Sequence, residues 1–84
     1  MPTANITMIC AYYIRAKFAA EYLTATDLAN VLQVSRGTAR RILDGERDLN
    51  MSELWDISAL CGLKPWELVE HATAFAELEG RDHA

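Results

Sequence analysis

Glycine and proline are scarce in this chain, four and two residues of 84. With no repeat and no low-complexity stretch, this excludes a linker-like or fibrous chain and points to one folded domain over residues 1–84. Cysteine is scarce too. Cys10 and Cys61, with two distant histidines, form no ligand cluster, which argues against a zinc site. Both cysteines sit among apolar neighbours, where a free thiol behaves as a small buried hydrophobe. No apolar run approaches the roughly 18 residues that span a bilayer. The start "MPTANITMIC" lacks the basic flank and apolar stretch of a secretory signal. The expectation is a soluble cytoplasmic protein with reduced thiols and no cofactor. No Ser/His/Asp or Cys/His set and no glycine-rich phosphate loop is present, so an enzyme is not expected.

What the chain does have is helical periodicity. Ile6, Ile9, Cys10, Tyr13, Ile14, Lys17 and Phe18 repeat at three- and four-residue steps, which predicts a first helix over about 5–22. Thr24, with Asp27 three residues on, opens a second over about 25–32, with Leu28, Ala29, Val31 and Leu32 on its apolar side. Ser35 caps a third over about 36–43, and Gly45 stops it. Asn50 and Glu53 begin a fourth over about 51–61, ended by Gly62; its expected inner face is Met51, Leu54, Trp55, Ile57, Ser58 and Cys61. Pro65 opens a fifth over about 65–79. No alternating stretch suggests a strand, so the fold class is all-α, a compact five-helix bundle. Trp55 and Trp66 read as core or interface anchors, one of Tyr12 and Tyr13 as exposed, and His71 and His83 as solvent-facing without a role.

Net charge is −4, yet the charges segregate. Residues 34–47 hold Arg36, Arg40, Arg41 and Arg47 against Asp44 and Glu46, while residues 66–84 hold Glu67, Glu70, Glu77, Glu79 and Asp82 against Arg81. Screening over about 8–10 Å lets each patch act on its own surroundings. On a helical wheel Arg36, Gly37, Arg40 and Arg41 fall within roughly 140°, with Ala39, Ile42 and Leu43 opposite. An arginine fork matches phosphate or the O6/N7 edge of guanine, and one helix fits the major groove of B-DNA. Gly37 permits close approach at about 1 kcal/mol of helix propensity. The short turn between the second and third helices is the helix-turn-helix spacing.

The stretch "LTATDLANVLQVSRGTARRILDGERDLNMSELWDISALCGLKPWEL", from Leu23 to Leu68, resembles the DNA-binding domain of the Cro/phage-repressor type, also called the XRE-like family. The resemblance rests on Leu23-Thr24, Leu28-Ala29, Val34-Ser35, Ile42, Gly45, Arg47, Leu54, Ile57, Gly62 and Leu68. It implies a lambda-repressor-like five-helix domain that binds double-stranded DNA sequence-specifically. It further implies a transcriptional regulator, frequently a repressor of phage or prophage type, commonly a dimer on a palindromic operator. By position, Arg36, Gly37 and Arg41 fall where the family reads bases, and Arg40 is shared between bases and phosphate. Ser35 and Thr38 fall at phosphates or bases, Arg47 at the backbone, and Asn50 offers a free amide to a phosphate.

Two departures stand out. Gln33 occupies a position that is Gly in many members, which implies a left-handed residue. Leu43 occupies a position that is commonly Glu, paired with a basic residue of the first helix; Leu43 is expected to pack, and no such ion pair is expected. A dimer needs a surface, for which Val69, Ala72, Phe75 and Ala76 of the fifth helix are the first candidates and the first helix the second. A different reading, a protein-interaction module or antitoxin on the same fold, would use the acidic C-terminal helix to bind a protein partner.

Overall fold

The computed structural model describes residues 6–82, and side chains from residue 6 to residue 78. Five helices follow one another: α1 (Ile6–Ala20), α2 (Ala25–Leu32), α3 (Arg36–Leu43), α4 (Met51–Leu60) and α5 (Pro65–Asp82). No strand occurs among the described residues. None of these helices is long and apolar enough to cross a membrane.

Helix starts are set by local chemistry. In α2 the Thr24 hydroxyl accepts from the Asp27 amide while the Asp27 carboxylate accepts from the Thr24 amide at 2.8 Å. Asn50 and Glu53 make the same reciprocal pair at α4, at 2.8 and 3.0 Å. At α5 the Glu67 carboxylate accepts from the Lys64 amide at 2.7 Å, and Pro65 needs no partner for its nitrogen. Each cap satisfies amides that the helix itself leaves unpaired.

The ends of α1 to α4 share one device. A residue with positive φ turns the chain back, and the next amide donates to a carbonyl five residues earlier. Leu23 donates to Phe18, Val34 to Ala29, Glu46 to Arg41 and Leu63 to Ser58, at 2.8, 3.1, 2.9 and 2.8 Å. Gly45 and Gly62 supply the turn at φ 76 and 75, but Tyr22 and Gln33 adopt φ 59 despite their side chains. The left-handed Gln33 is as expected. Glu21, Tyr22 and Cys61 belong to these turns, which is why α1 and α4 stop short of residues 22 and 61. Gly80 does not end α5, which continues to Asp82.

The core takes one fully buried aliphatic residue from every helix: Ile14, Leu28, Ile42, Ile57 and Leu68. Phe18, Ala25, Ala29, Ala39, Leu43 and Ala72 complete it with the free thiols of Cys10 and Cys61. Burial pushes both thiols up from their ordinary pKa. Helix α1 packs along α5 and against α3, and α4 packs on α2 and α5.

Several side chains expected inside lie outside. Val31 is 38% exposed, Met51 77%, and Trp55 and Trp66 64% each, so neither tryptophan is a core anchor. On α4 the inward places belong to Glu53, Ile57 and Ser58, and the Ser58 hydroxyl donates to the Leu54 carbonyl at 2.7 Å. Buried Glu53 is neutralised by Arg47, whose Nη1 and Nη2 donate to its two carboxylate oxygens at 2.9 and 2.8 Å. Ile6 is exposed and Ala11 is buried instead. His83 lies outside the described residues, as do the side chains of Glu79, Arg81 and Asp82.

Hydrogen bonding to Arg47 holds the Glu53 carboxyl below its ordinary pKa, against the opposing effect of burial. Its stabilisation is therefore complete above the unfolded carboxylate value near 4.3 and vanishes as pH falls through the lower folded value. Glu53→Gln should lose about 2 kcal/mol near neutral pH, and urea unfolding of the two proteins should converge in acid. Tyr22→Gly relieves the left-handed side chain, and thermal unfolding should show a gain of about 0.5–1 kcal/mol.

Candidate nucleic-acid interface

Helix α3 opens at Ser35, whose hydroxyl accepts from the Thr38 amide at 3.0 Å and donates to the Thr38 hydroxyl at 3.0 Å. Unlike α2, α4 and α5, it carries no carboxylate in its first turn. Its amide end keeps its partial positive charge, which favours an anion.

The buried face of α3 is Ala39, Ile42 and Leu43, at 0%, 1% and 6% exposure. Leu43 packs as expected. With about 100° per residue, that face fixes the outward axis close to Gly37 and Arg41. Arg40 and Arg36 lie to one side of the axis, roughly 70° and 110° away, and Thr38 to the other. All three arginines are exposed. A Cβ built at Gly37 would meet no atom nearer than Ser35 Oγ at 3.9 Å. Nothing inside the protein asks for glycine there.

The turn before α3 is Gln33–Val34–Ser35, tied by the Val34 amide to Ala29. The segment after α3 is held just as closely. A Cβ on Gly45 would come within 2.6 Å of Met8 Sδ. Thr7 Oγ1 donates to Asp48 Oδ1 at 2.7 Å, and Arg47 Nη1 donates to the Asp48 carbonyl at 3.3 Å.

Two readings of the sequence need correction. The amide of Asn50 is not free, because it donates to Glu53 within the α4 cap. A different pair joins α1 to the end of α3, for Arg15 Nη1 lies 3.8 Å from Asp44 Oδ1, one residue beyond the position where the family carries its glutamate. The stripe of α5 is not an open dimer surface. Ala72 is fully buried, Val69 and Ala76 are half-buried, and Phe75 sits edge-on to Tyr12 and Tyr13 at 5.4 and 5.8 Å. The α1 rings Tyr12 and Tyr13 occupy that stripe.

The sequence reading also missed the role of Arg47 as the partner of Glu53; a basic residue six positions before a capping carboxylate was the available signal. Arg15 was passed over as well.

No family model matches the sequence, and no curated protein does. Among solved structures the chain is similar to the clp gene regulator ClgR from Corynebacterium glutamicum, with TM-score 0.83 and 17% identity, over 98% of this chain and 87% of that one. That likeness is one of fold. The two share a compact five-helix architecture, and in this chain α2, a short turn and α3 form a helix-turn-helix arrangement.

Because open space surrounds Gly37, Gly37→Ala should stabilise the protein by up to about 1 kcal/mol through helix propensity. Thermal unfolding of the two proteins measures it.

Proposed function

We propose that the chain is a sequence-specific double-stranded DNA-binding transcriptional regulator, of Cro-like phage or prophage repressor type, with α3 in the major groove. The observation that carries this reading is the docking of α3 by Ala39, Ile42 and Leu43, which leaves three arginines and a bare glycine facing out. Major-groove width matches a helix of about 10–12 Å. In this reading Arg41, close to the outward axis, and Arg36, in the first turn that enters the groove deepest, read base edges, and Gly37 lets the helix approach closely. Arg40 stands at the edge of that face. Ser35, Thr38, Arg47 and Asn50 meet the sugar-phosphate backbone, Arg47 with the N–H groups its Glu53 pair leaves over and Asn50 with its side-chain amide.

One such domain covers one half-site, so a homodimer on a palindromic operator completes the reading. With the α5 stripe covered, exposed Ile6 and Met8 keep α1 as a candidate for contact with a second copy, and α4 adds Met51 and Trp55. They border an open hollow of about 410 Å³ with Ser52 and Asp56. Both are far more exposed than large apolar groups on α2 or α3. The alternative of a protein-interaction module on the acidic α5 draws support only from the exposed Glu70 and Glu77.

Duplex binding against salt, for the wild type and the Arg36/Arg40/Arg41→Ala triple variant, tests the proposal. A steep dependence of log affinity on log salt, lost in the variant, is expected; equal binding by the two overturns it. Arg41→Ala should cost about 1–3 kcal/mol and relax preference at one operator position. Loss of equal size on every sequence would refute base reading by Arg41. Gly37→Ala should bind duplex more weakly.

A further inference from the structure

Between α1, α2 and α3 lies a cleft of about 370 Å³, lined among others by Arg15, Phe18, Leu23, Thr24, Arg40 and Leu43. Two arginines from different helices, Arg15 of α1 and Arg40 of α3, line this one space, and no carboxylate of the described residues does. The Arg15 side chain is 47% exposed and Arg40 is exposed, so both reach solvent. Arg15 has a single weak acidic partner, Asp44 at 3.8 Å, itself 38% exposed, and its guanidinium carbon stands 5.8 Å from the centre of the Tyr12 ring. A surface pair of that length contributes little and is readily exchanged for a better anion.

The position of the cleft says which anion. It opens beside α3, on the flank where Arg40 points about 70° off the outward axis. A helix whose first turn enters a groove about 12 Å wide directs its outermost and first-turn side chains at base edges and its later flanking ones at the strand that forms the wall. We propose that Arg15 and Arg40 together seat one phosphodiester of the duplex strand bordering α3 on its α1 and α2 side. This assigns Arg40 to the backbone rather than to a base. It adds Arg15, a residue of α1, to the interface, and makes Asp44 the group that competes with phosphate for Arg15. The inference rests on the reading of α3 as the groove helix.

The test uses the full chain and a duplex selected by the wild type from a random pool, with a scrambled duplex beside it. Arg15→Gln and Arg40→Gln should each weaken both duplexes by the same factor, about five- to tenfold, and flatten the salt slope by about 0.9, the value for one phosphate contact. The double variant should lose less than the product of the two single losses, because both groups hold one phosphate. Asp44→Asn should tighten binding in the wild type and fail to do so beside Arg15→Gln. Thermal unfolding checks that each variant is folded; should Arg15→Gln not be, Asp44→Asn in the intact chain still decides, and unchanged affinity there overturns the seat. An Arg15→Gln protein with wild-type affinity and slope, while Arg41→Ala binds poorly, overturns the seat and leaves the groove reading standing. So does a change of base preference in Arg40→Gln. A wild type that binds no duplex in a salt-dependent way overturns both.

Discussion

The seating of α3 on the core governs the molecule. Ile42 enters the same cluster as one aliphatic residue from each other helix, and Ala39 and Leu43 flank it. A helix has only one rotation about its axis, so choosing what faces inward also chooses what faces outward. Burying these three residues turns Gly37 and Arg41 to solvent without any interaction made for that purpose. Apolar packing thus orients a polar surface, which is why a chain with few charged contacts of any strength can hold three guanidinium groups in a defined array.

Charge is managed at the helix ends rather than by net composition. Asp27, Glu53 and Glu67 each fold back on the backbone amide three residues before them, which neutralises the starts of α2, α4 and α5. Helix α3 uses Ser35 and Thr38 alone. The acidic residues next to the arginines are partly engaged elsewhere: Asp48 with Thr7, Asp44 with Arg15. An overall charge of −4 therefore coexists with a cationic edge.

Much of this was legible in the sequence because capping is local. A serine, threonine or asparagine and the residue three positions on decide a helix start between them, and the four connections of the fold followed from such pairs and from Gln33, Gly45 and Gly62. What failed was the assumption that apolar means inward. Met51 and Trp55 stand four residues apart and look like a buried stripe, yet α4 turns Glu53 inward beside Ile57 and Ser58 and leaves both outside. A carboxylate can hold that place only because Arg47 reaches it, a pairing set by the path of the loop. The α5 stripe was read as open because nothing in a single helix says which neighbour covers it; the ring contacts of Phe75 with Tyr12 and Tyr13 join opposite ends of the chain. The roles of the exposed arginines rest on the outward geometry and on resemblance, since solvent-facing positions leave no packing signature.

The back-turned ends of α2 and α3 have a thermodynamic consequence. Gln33 turns the chain at φ 59 on one side, and on the other Gly45 lies where a Cβ would meet Met8 at 2.6 Å, so α3 is held at both ends. A partner would meet a surface already ordered, so association should lack the large heat-capacity signature of a segment that folds as it binds. Changing what α3 presents to a partner would then fall to exchanging its side chains rather than to tilting the scaffold beneath them.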